Sequence, residues 1–205
     1  MGGWGVKVVL ATALGLRFDK GVVLAADRRV SYSSFILSKS ARKVFLINDR
    51  VGVSTAGLPG DFQELVDILK YNIAMYELEN DRVATPTNVA KILSLLLYQG
   101  RFSGIYYAEV IVGGMDGSSP RIFVLDPAGG LMEESFAAIG TGAQIATGVL
   151  ERGFREGMSE EEAIELSERA MREAIARDAL SGDGIDMLII TERGSRSEFI
   201  PIRTV

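Results

Sequence analysis

The sequence predicts a layered α+β domain, and three observations predict it. Strand-like runs come in blocks, helix-like runs come in pairs, and blocks and pairs alternate along the chain. Gly-bearing turns join the strand-like runs as antiparallel hairpins, Asp19-Lys20-Gly21 first. A chain of 205 residues, 47% apolar and 24% charged, can bury a sizeable core as one domain. Two sheets should therefore face each other, with a helix pair on each outer face. No linker, internal repeat or second domain breaks the pattern.

Residues 1–10 read as a short leader, Gly-rich and then β-like. Strands are expected near 11–18 and 21–29. Residues 30–34 read as a polar loop and 35–37 as a short extended piece. Strands follow near 43–48 and 51–57, across Asn48-Asp49-Arg50. Their alternation is imperfect, as suits sheets covered on both faces. A helix starts at Leu58-Pro59-Gly60-Asp61, with Asp61 as its cap, and runs to about Leu78. A second opens at Thr85-Pro86 and fades at Gln99-Gly100. Strands at 106–114 and 121–125 and one last short strand ending at Ile139 form a meander. Gly140-Thr141-Gly142 opens a helix to about Arg152. Ser159, with Glu162 three residues on, starts a helix by a capping box, and it ends near Arg177. Strands at 185–191 and 196–201 finish the domain.

Composition excludes several classes of chemistry. The chain has no His and no Cys, which removes imidazole-assisted serine or cysteine catalysis, Cys/His zinc sites and disulfides. A hydrolytic nucleophile here would be Ser, Thr or a carboxylate, helped by Lys or an α-amino group. No metal or organic cofactor is implied. The net charge of −5 offers no basic excess for nucleic acid or an anionic membrane. No signal peptide and no apolar run of membrane-spanning length is present, so the chain reads as cytoplasmic.

The rest of the chain is arranged around Leu24-Ala25-Ala26-Asp27-Arg28-Arg29 and the strand before it. An Asp closing an apolar strand either accepts local backbone hydrogen bonds or is a placed charge. At fixed distance follow Ser38-Lys39 with Lys43, then Thr55-Ala56-Gly57, and far downstream Gly140-Thr141-Gly142 and Ser181-Gly182-Asp183-Gly184-Ile185-Asp186. With Gly21 to Arg29, these phrases resemble, in order and spacing, the β-type subunits of the proteasome core particle, in the archaeal style. The resemblance runs from about Leu10 to about Ile200.

It implies the four-layer αββα sandwich of the N-terminal nucleophile hydrolases, spanning 11–205 after the leader. It also implies a threonine-protease complex in which a Thr, freed as the first residue by self-cleavage of the leader, attacks the peptide carbonyl. By the same resemblance, Lys43 falls on the family's lysine, Asp27 on its carboxylate partner and Arg29 on an associated arginine. Gly57 falls on the oxyanion turn, Asp178 and Ser181 on the pair near the N-terminal amine, and Thr141 where many members have Ser. Val30, Ala41, Phe45 and Thr55 fall on the substrate's side-chain pocket. The implied partners are α subunits and sibling β subunits in stacked seven-membered rings, unfolded polypeptide, and a regulatory ATPase reached through the α-ring.

The nucleophile position itself holds Ala11, 16 residues before Asp27, as Asp27 is 16 before Lys43. A methyl group cannot attack a carbonyl. Leu10 replaces the Gly that the family has before its nucleophile, where tight autolysis geometry favours a residue without a side chain. Thr12 is the alternative nucleophile, but successive side chains of a strand point to opposite faces. Thr12 therefore needs a one-residue slip that would also invert Leu14 and Leu16. Three readings follow: a non-catalytic β-type subunit that keeps Asp27 and Lys43 as a buried ion pair and its glycines as tight turns; an active subunit processed before Thr12; and an amidase of another N-terminal nucleophile family acting alone. The first is the expectation.

Overall fold

The computed structural model describes residues 11–32 and 34–202. The expected leader and its Leu10 lie outside the described residues.

Strands buried on both faces form the middle of two sheets. β1 (Thr12–Phe18) and β2 (Gly21–Asp27) pair as the expected hairpin, Ala13 opposite Ala26. With β10 (Phe136–Gly140), β11 (Ile185–Thr191) and β12 (Gly194–Ile200) they form one antiparallel sheet, in the order β10-β1-β2-β11-β12. The second sheet runs β5 (Val44–Asn48), β6 (Val51–Gly57), β7 (Ala108–Asp116), β8 (Ser119–Leu125), β9 (Leu131–Glu134). Odd and even positions of each strand serve different layers. Ala13 of β1, Val22, Leu24 and Ala26 of β2, and Ile111 of β7 fill the space between the sheets. Leu14, Leu16, Val23 and Ala25 face α3 (Ala143–Gly153) and α4 (Glu160–Arg177). Val51, Val53, Val110 and Val112 face α1 (Pro59–Asn80) and α2 (Pro86–Gly100). The order helices, sheet, sheet, helices is the four-layer sandwich. No helix among the described residues is long and apolar enough to cross a membrane.

The helix starts at Thr85 and Ser159 are as read. Each side chain accepts the backbone N–H three residues on, and the residue there, Asn88 or Glu162, reaches back to the cap's own N–H.

Four expectations need correction. Asp61 does not cap α1: the cap position is Leu58, Pro59 takes the first turn, and the Asp61 carboxylate instead accepts the Tyr107 N–H at 2.7 Å. The segment read as a loop contains β3 (Val30–Tyr32), which pairs with β4 (Phe35–Ser38) as a separate two-stranded sheet. The sequence hid it because the strand is only three residues long and mixes buried Val30 and Ser31 with exposed Tyr32. The strand expected from 106 begins at Ala108, since Tyr107 is spent holding Asp61 and Leu58. The single strand expected before Ile139 is two, in different sheets. Ser135 hands the chain across, its carbonyl accepting the Arg17 N–H at 3.0 Å.

Candidate functional site

Two polar clusters meet where β1 begins. The first joins the sheets. Asp27 ends β2 in one sheet and Lys43 immediately precedes β5 in the other, and Lys43 Nζ lies 2.8 Å from Asp27 Oδ1. Both side chains are almost fully buried, 0% and 1% exposed, so the pair stands or falls by its hydrogen bonds. Asp27 accepts three more: from Thr12 N–H at 3.1 Å, Arg29 N–H at 3.0 Å and Gly182 N–H at 2.9 Å. Lys43 also donates to the Arg29 carbonyl. Burial pushes the Asp27 carboxyl above its ordinary range, against the pull of Lys43 and the backbone donors. Burial likewise holds the Lys43 ammonium below its ordinary range, against the pull of Asp27. Arg29 pairs with Asp183 at 2.8 Å and donates to the Ala179 carbonyl. That clamp ties the loop between α4 and β11 to the end of β2.

The second cluster faces the helix layer and is built of hydroxyls. Thr12 Oγ1 is 2.8 Å from Ser181 Oγ and accepts the Gly142 N–H at 3.1 Å. Ser181 Oγ donates to Asp178 Oδ2 at 2.6 Å, so its only hydrogen is used and the Thr12 hydroxyl must be the donor to Ser181. Thr141 Oγ1 donates to the same Asp178 oxygen. The Thr12 hydroxyl thus ends a relay on Asp178, and no hydrogen bond joins it to Lys43.

Ala11 is buried on the other side, in the cluster between the sheets with Ala26 and Ala56. Its carbonyl accepts the Thr141 N–H at 3.0 Å. This contact requires Gly140: its φ is +86°, and a Cβ there would lie 1.7 Å from the Ala11 oxygen. Gly57 is fixed in the same way, with φ +135° and the Tyr107 carbonyl 2.1 Å from where its Cβ would be. Both turns are closed to larger residues.

Of the remaining sequence-derived positions, Ala41 and Phe45 flank Lys43 in the chain and Thr55 is bonded to its backbone. Thr55 is buried and binds the Lys43 carbonyl through both N–H, at 2.8 Å, and Oγ1, at 3.1 Å. Val30 is buried and Ala41 half-buried, the latter tied by its N–H to the Arg28 carbonyl. Phe45 is half-buried and packs its ring against Phe62 of α1. Among the described residues, no group of three Asp or Glu side chains gathers to hold a metal ion. A cavity of about 650 Å³ lies at the far end of β1, by Asp19, Lys20, Ser159 and Arg193, and contains none of these residues.

Sequence reasoning missed Glu109. Its carboxylate accepts the Gly140 N–H at 2.9 Å and so holds the turn that carries Thr141. The signal was present: Glu109 is the one charge in Ala108-Glu109-Val110-Ile111-Val112. The part of Gly182 and Asp183 in fixing Asp27 and Arg29 was also missed. It depends on a loop 155 residues away, and no local pattern encodes it.

A family model described as "Proteasome subunit" matches residues 10–190. The chain is 83% identical over 197 residues to proteasome subunit beta 2 of Korarchaeum cryptofilum, covering 96% of this chain and 100% of that protein. It is 44% identical over 195 residues to proteasome subunit beta 2 of Pyrobaculum neutrophilum, covering 95% and 96%. It is 46% identical over 195 residues to proteasome subunit beta 1 of Ignicoccus hospitalis, again covering 95% and 96%.

Proposed function

The chain belongs to the proteasome subunit family, among subunits of the β type, and on that premise we propose that it holds a place in the β-ring of a 20S core without cutting peptide bonds itself. One observation carries the reading. Where β1 begins, the side chain on the inter-sheet face is the methyl of Ala11, while the nearest hydroxyl, that of Thr12, is turned to the helix layer and held there by Ser181 and Gly142. Nucleophilic attack needs an oxygen within reach of a proton acceptor. In this reading Lys43 and Asp27 are the acceptor and its partner, left without an oxygen to serve. Gly57 is the oxyanion turn, Thr141, Asp178 and Ser181 are supports, and Arg29 braces Asp27. Val30, Ala41, Phe45 and Thr55 line the side-chain pocket. The chain acts in the cytoplasm as a wall and contact element. Its partners are α subunits, sibling β subunits that carry the nucleophile, and unfolded polypeptide in the chamber, with a regulatory ATPase acting through the α-ring.

A second reading has one observation in its favour. Cleavage before Thr12 would free an amine at the nitrogen that already lies 3.1 Å from Asp27, with the Thr12 hydroxyl on its relay to Asp178. Intact mass spectrometry separates the two, after assembly with α subunits and a catalytic sibling and exposure to a threonine-directed epoxyketone. The non-catalytic reading expects this chain to carry no adduct. A mass beginning at Thr12 with the adduct attached overturns it.

A further inference from the structure

We infer that the open border between the two sheets binds the C-terminal residue of a peptide, an apolar side chain together with its free carboxylate. The sheets do not cover each other fully. β5 is the last strand of one and β12 the last of the other. At that border a cavity of about 220 Å³ enters the layer between them. Val44 and Leu188 on its walls belong to the inter-sheet core. Ser197 stands opposite Leu188 in β12 and Phe199 is two residues on, so both share its face. Leu46 likewise shares the face of Val44. This is the part of the layer that packing leaves open: Leu46 is 37% exposed and Phe199 46%.

Charge at the rim defines the ligand. Arg28 and Arg42 both line the cavity. Arg28 is committed: it donates to both carboxylate oxygens of Asp186 at 2.9 Å, and its guanidinium lies 3.7 Å over the Phe199 ring. Glu198, at the same rim, is taken by Arg196 at 3.0 Å. Both acids are thus answered, while Arg42 is exposed and forms no ion pair among the described residues. One cation without a partner beside an apolar wall fits a single carboxylate on a compact apolar body. Two features favour a peptide end over a fatty acid. The cavity is smaller than the about 300–1,000 Å³ of drug-sized sites, so it admits one side chain rather than a long acyl tail. β5 is paired only with β6, so its other edge offers backbone donors and acceptors to the amide before that residue.

The cavity adjoins the buried ion pair along the chain. Arg28 follows Asp27, and Arg42 precedes Lys43. A carboxylate held by Arg42 therefore restrains a segment that carries the pair. Hydrolysis of a peptide bond creates such an end, so the ligand is the product of a sibling's cut. That source rests on the β-type reading above; the cavity and its charge do not.

The probe is the dipeptide acetyl-Ala-Leu, titrated into the full chain with its leucine methyl groups labelled for NMR. The methyl signals of Leu46 and Leu188 should shift. The acid should bind about tenfold tighter than acetyl-Ala-Leu-amide, which lacks the charge. Arg42→Gln should erase that preference and leave the affinity of the amide unchanged. Ser197→Trp, at an exposed position, should fill the cavity and abolish binding of both. Absence of any shift at millimolar peptide overturns the inference. Equal binding of acid and amide overturns it too, as does binding that survives Ser197→Trp. Isocaproate binding as tightly as the dipeptide overturns the peptide end in favour of a free short acid. None of these outcomes touches the β-type reading, which stands or falls by assembly with α subunits.

Discussion

The two sides of the site differ in kind although one residue of β1 separates them. The cluster that joins the two sheets holds charge: Asp27 and Lys43, nearly fully buried, with three backbone N–H groups on the carboxylate. The helix side holds hydroxyls: Thr12, Ser181 and Thr141 converging on Asp178. A buried ion pair gains little over an apolar pair of the same shape but costs a great deal when one partner is removed. A hydroxyl relay is a set of single hydrogen bonds, each worth about 1 kcal/mol net. The charged side should therefore dominate what mutation does to stability, whether or not the chain performs chemistry. The presence of Asp27 and Lys43 is then no evidence of catalysis, because losing either alone would by itself be costly to the fold.

The largest expected effect tests that claim directly. Lys43→Met strands a buried carboxylate and should cost about 3–5 kcal/mol, or roughly 10 °C in melting temperature for a domain of this size. Adding Asp27→Asn removes the stranded charge and keeps one acceptor oxygen, which can serve the Arg29 and Gly182 N–H groups that share Oδ2, with the amide NH2 in place of the Oδ1 that faces Thr12. It should recover at least half of the loss. Asp27→Leu in its place should recover little, since those three donors would then face an apolar side chain. Urea unfolding of the three variants is the measurement. A loss below about 1 kcal/mol for Lys43→Met would break the comparison at its base.

Next in size is the turn where the two sides touch. Gly140→Ala puts a methyl against the Ala11 carbonyl at a φ of +86°, and should cost about 2 kcal/mol or more. The loss should appear in the same unfolding curves. A neutral result would mean that the Ala11–Thr141 contact can loosen without consequence, and with it the placement of Ala11.

How much of this was legible in the sequence follows the range of each interaction. The β1–β2 hairpin and the capping residues Thr85 and Ser159 rest on neighbours within a few residues and are plain in the chain. Asp61 misled because Pro59 had already opened the helix and the carboxylate served Tyr107, 46 residues on. The run Leu131 to Ile139 contains no Gly or Pro. Its division at Ser135 is a choice between two sheets that only tertiary packing makes. In the site, strand parity was enough to set Thr12 apart from Ala11, because side-chain alternation is local. The partners of Asp27 across 155 residues, and Glu109 beneath Gly140, needed the fold.

The hydroxyl side should answer more weakly. Ser181→Ala removes the acceptor of the Thr12 hydroxyl and one donor to Asp178, and should cost about 1–3 kcal/mol. Thr12→Val leaves the Gly142 N–H without its acceptor and should fall in the same range. The two losses share one relay, so Ser181→Ala and Thr12→Val together should cost less than their sum, by about 0.5 kcal/mol or more. Strict additivity would show the relay to be separate contacts, and the contrast between the sides would narrow.

The smallest effect is in pH, and its sign is particular to a pair whose members are both pushed toward neutrality. Asp27 is raised from an ordinary value of 3.8. Between 3.8 and its folded value the native state holds more protons than the unfolded chain, so stability falls as pH rises through that window. Lys43 is lowered from 10.5. Between its folded value and 10.5 the unfolded chain holds more protons, so stability rises with pH there. Measured against Asp27→Asn with Lys43→Met, the native chain should therefore be relatively weakest in the middle of the pH range and gain toward both ends. Thermal unfolding of the two proteins across pH gives the difference curve, in which exposed carboxylates common to both largely cancel. A curve with its maximum in the middle would mean that mutual attraction and the three backbone donors outweigh burial. The pair would then be a net source of stability rather than a liability that neither partner can leave alone.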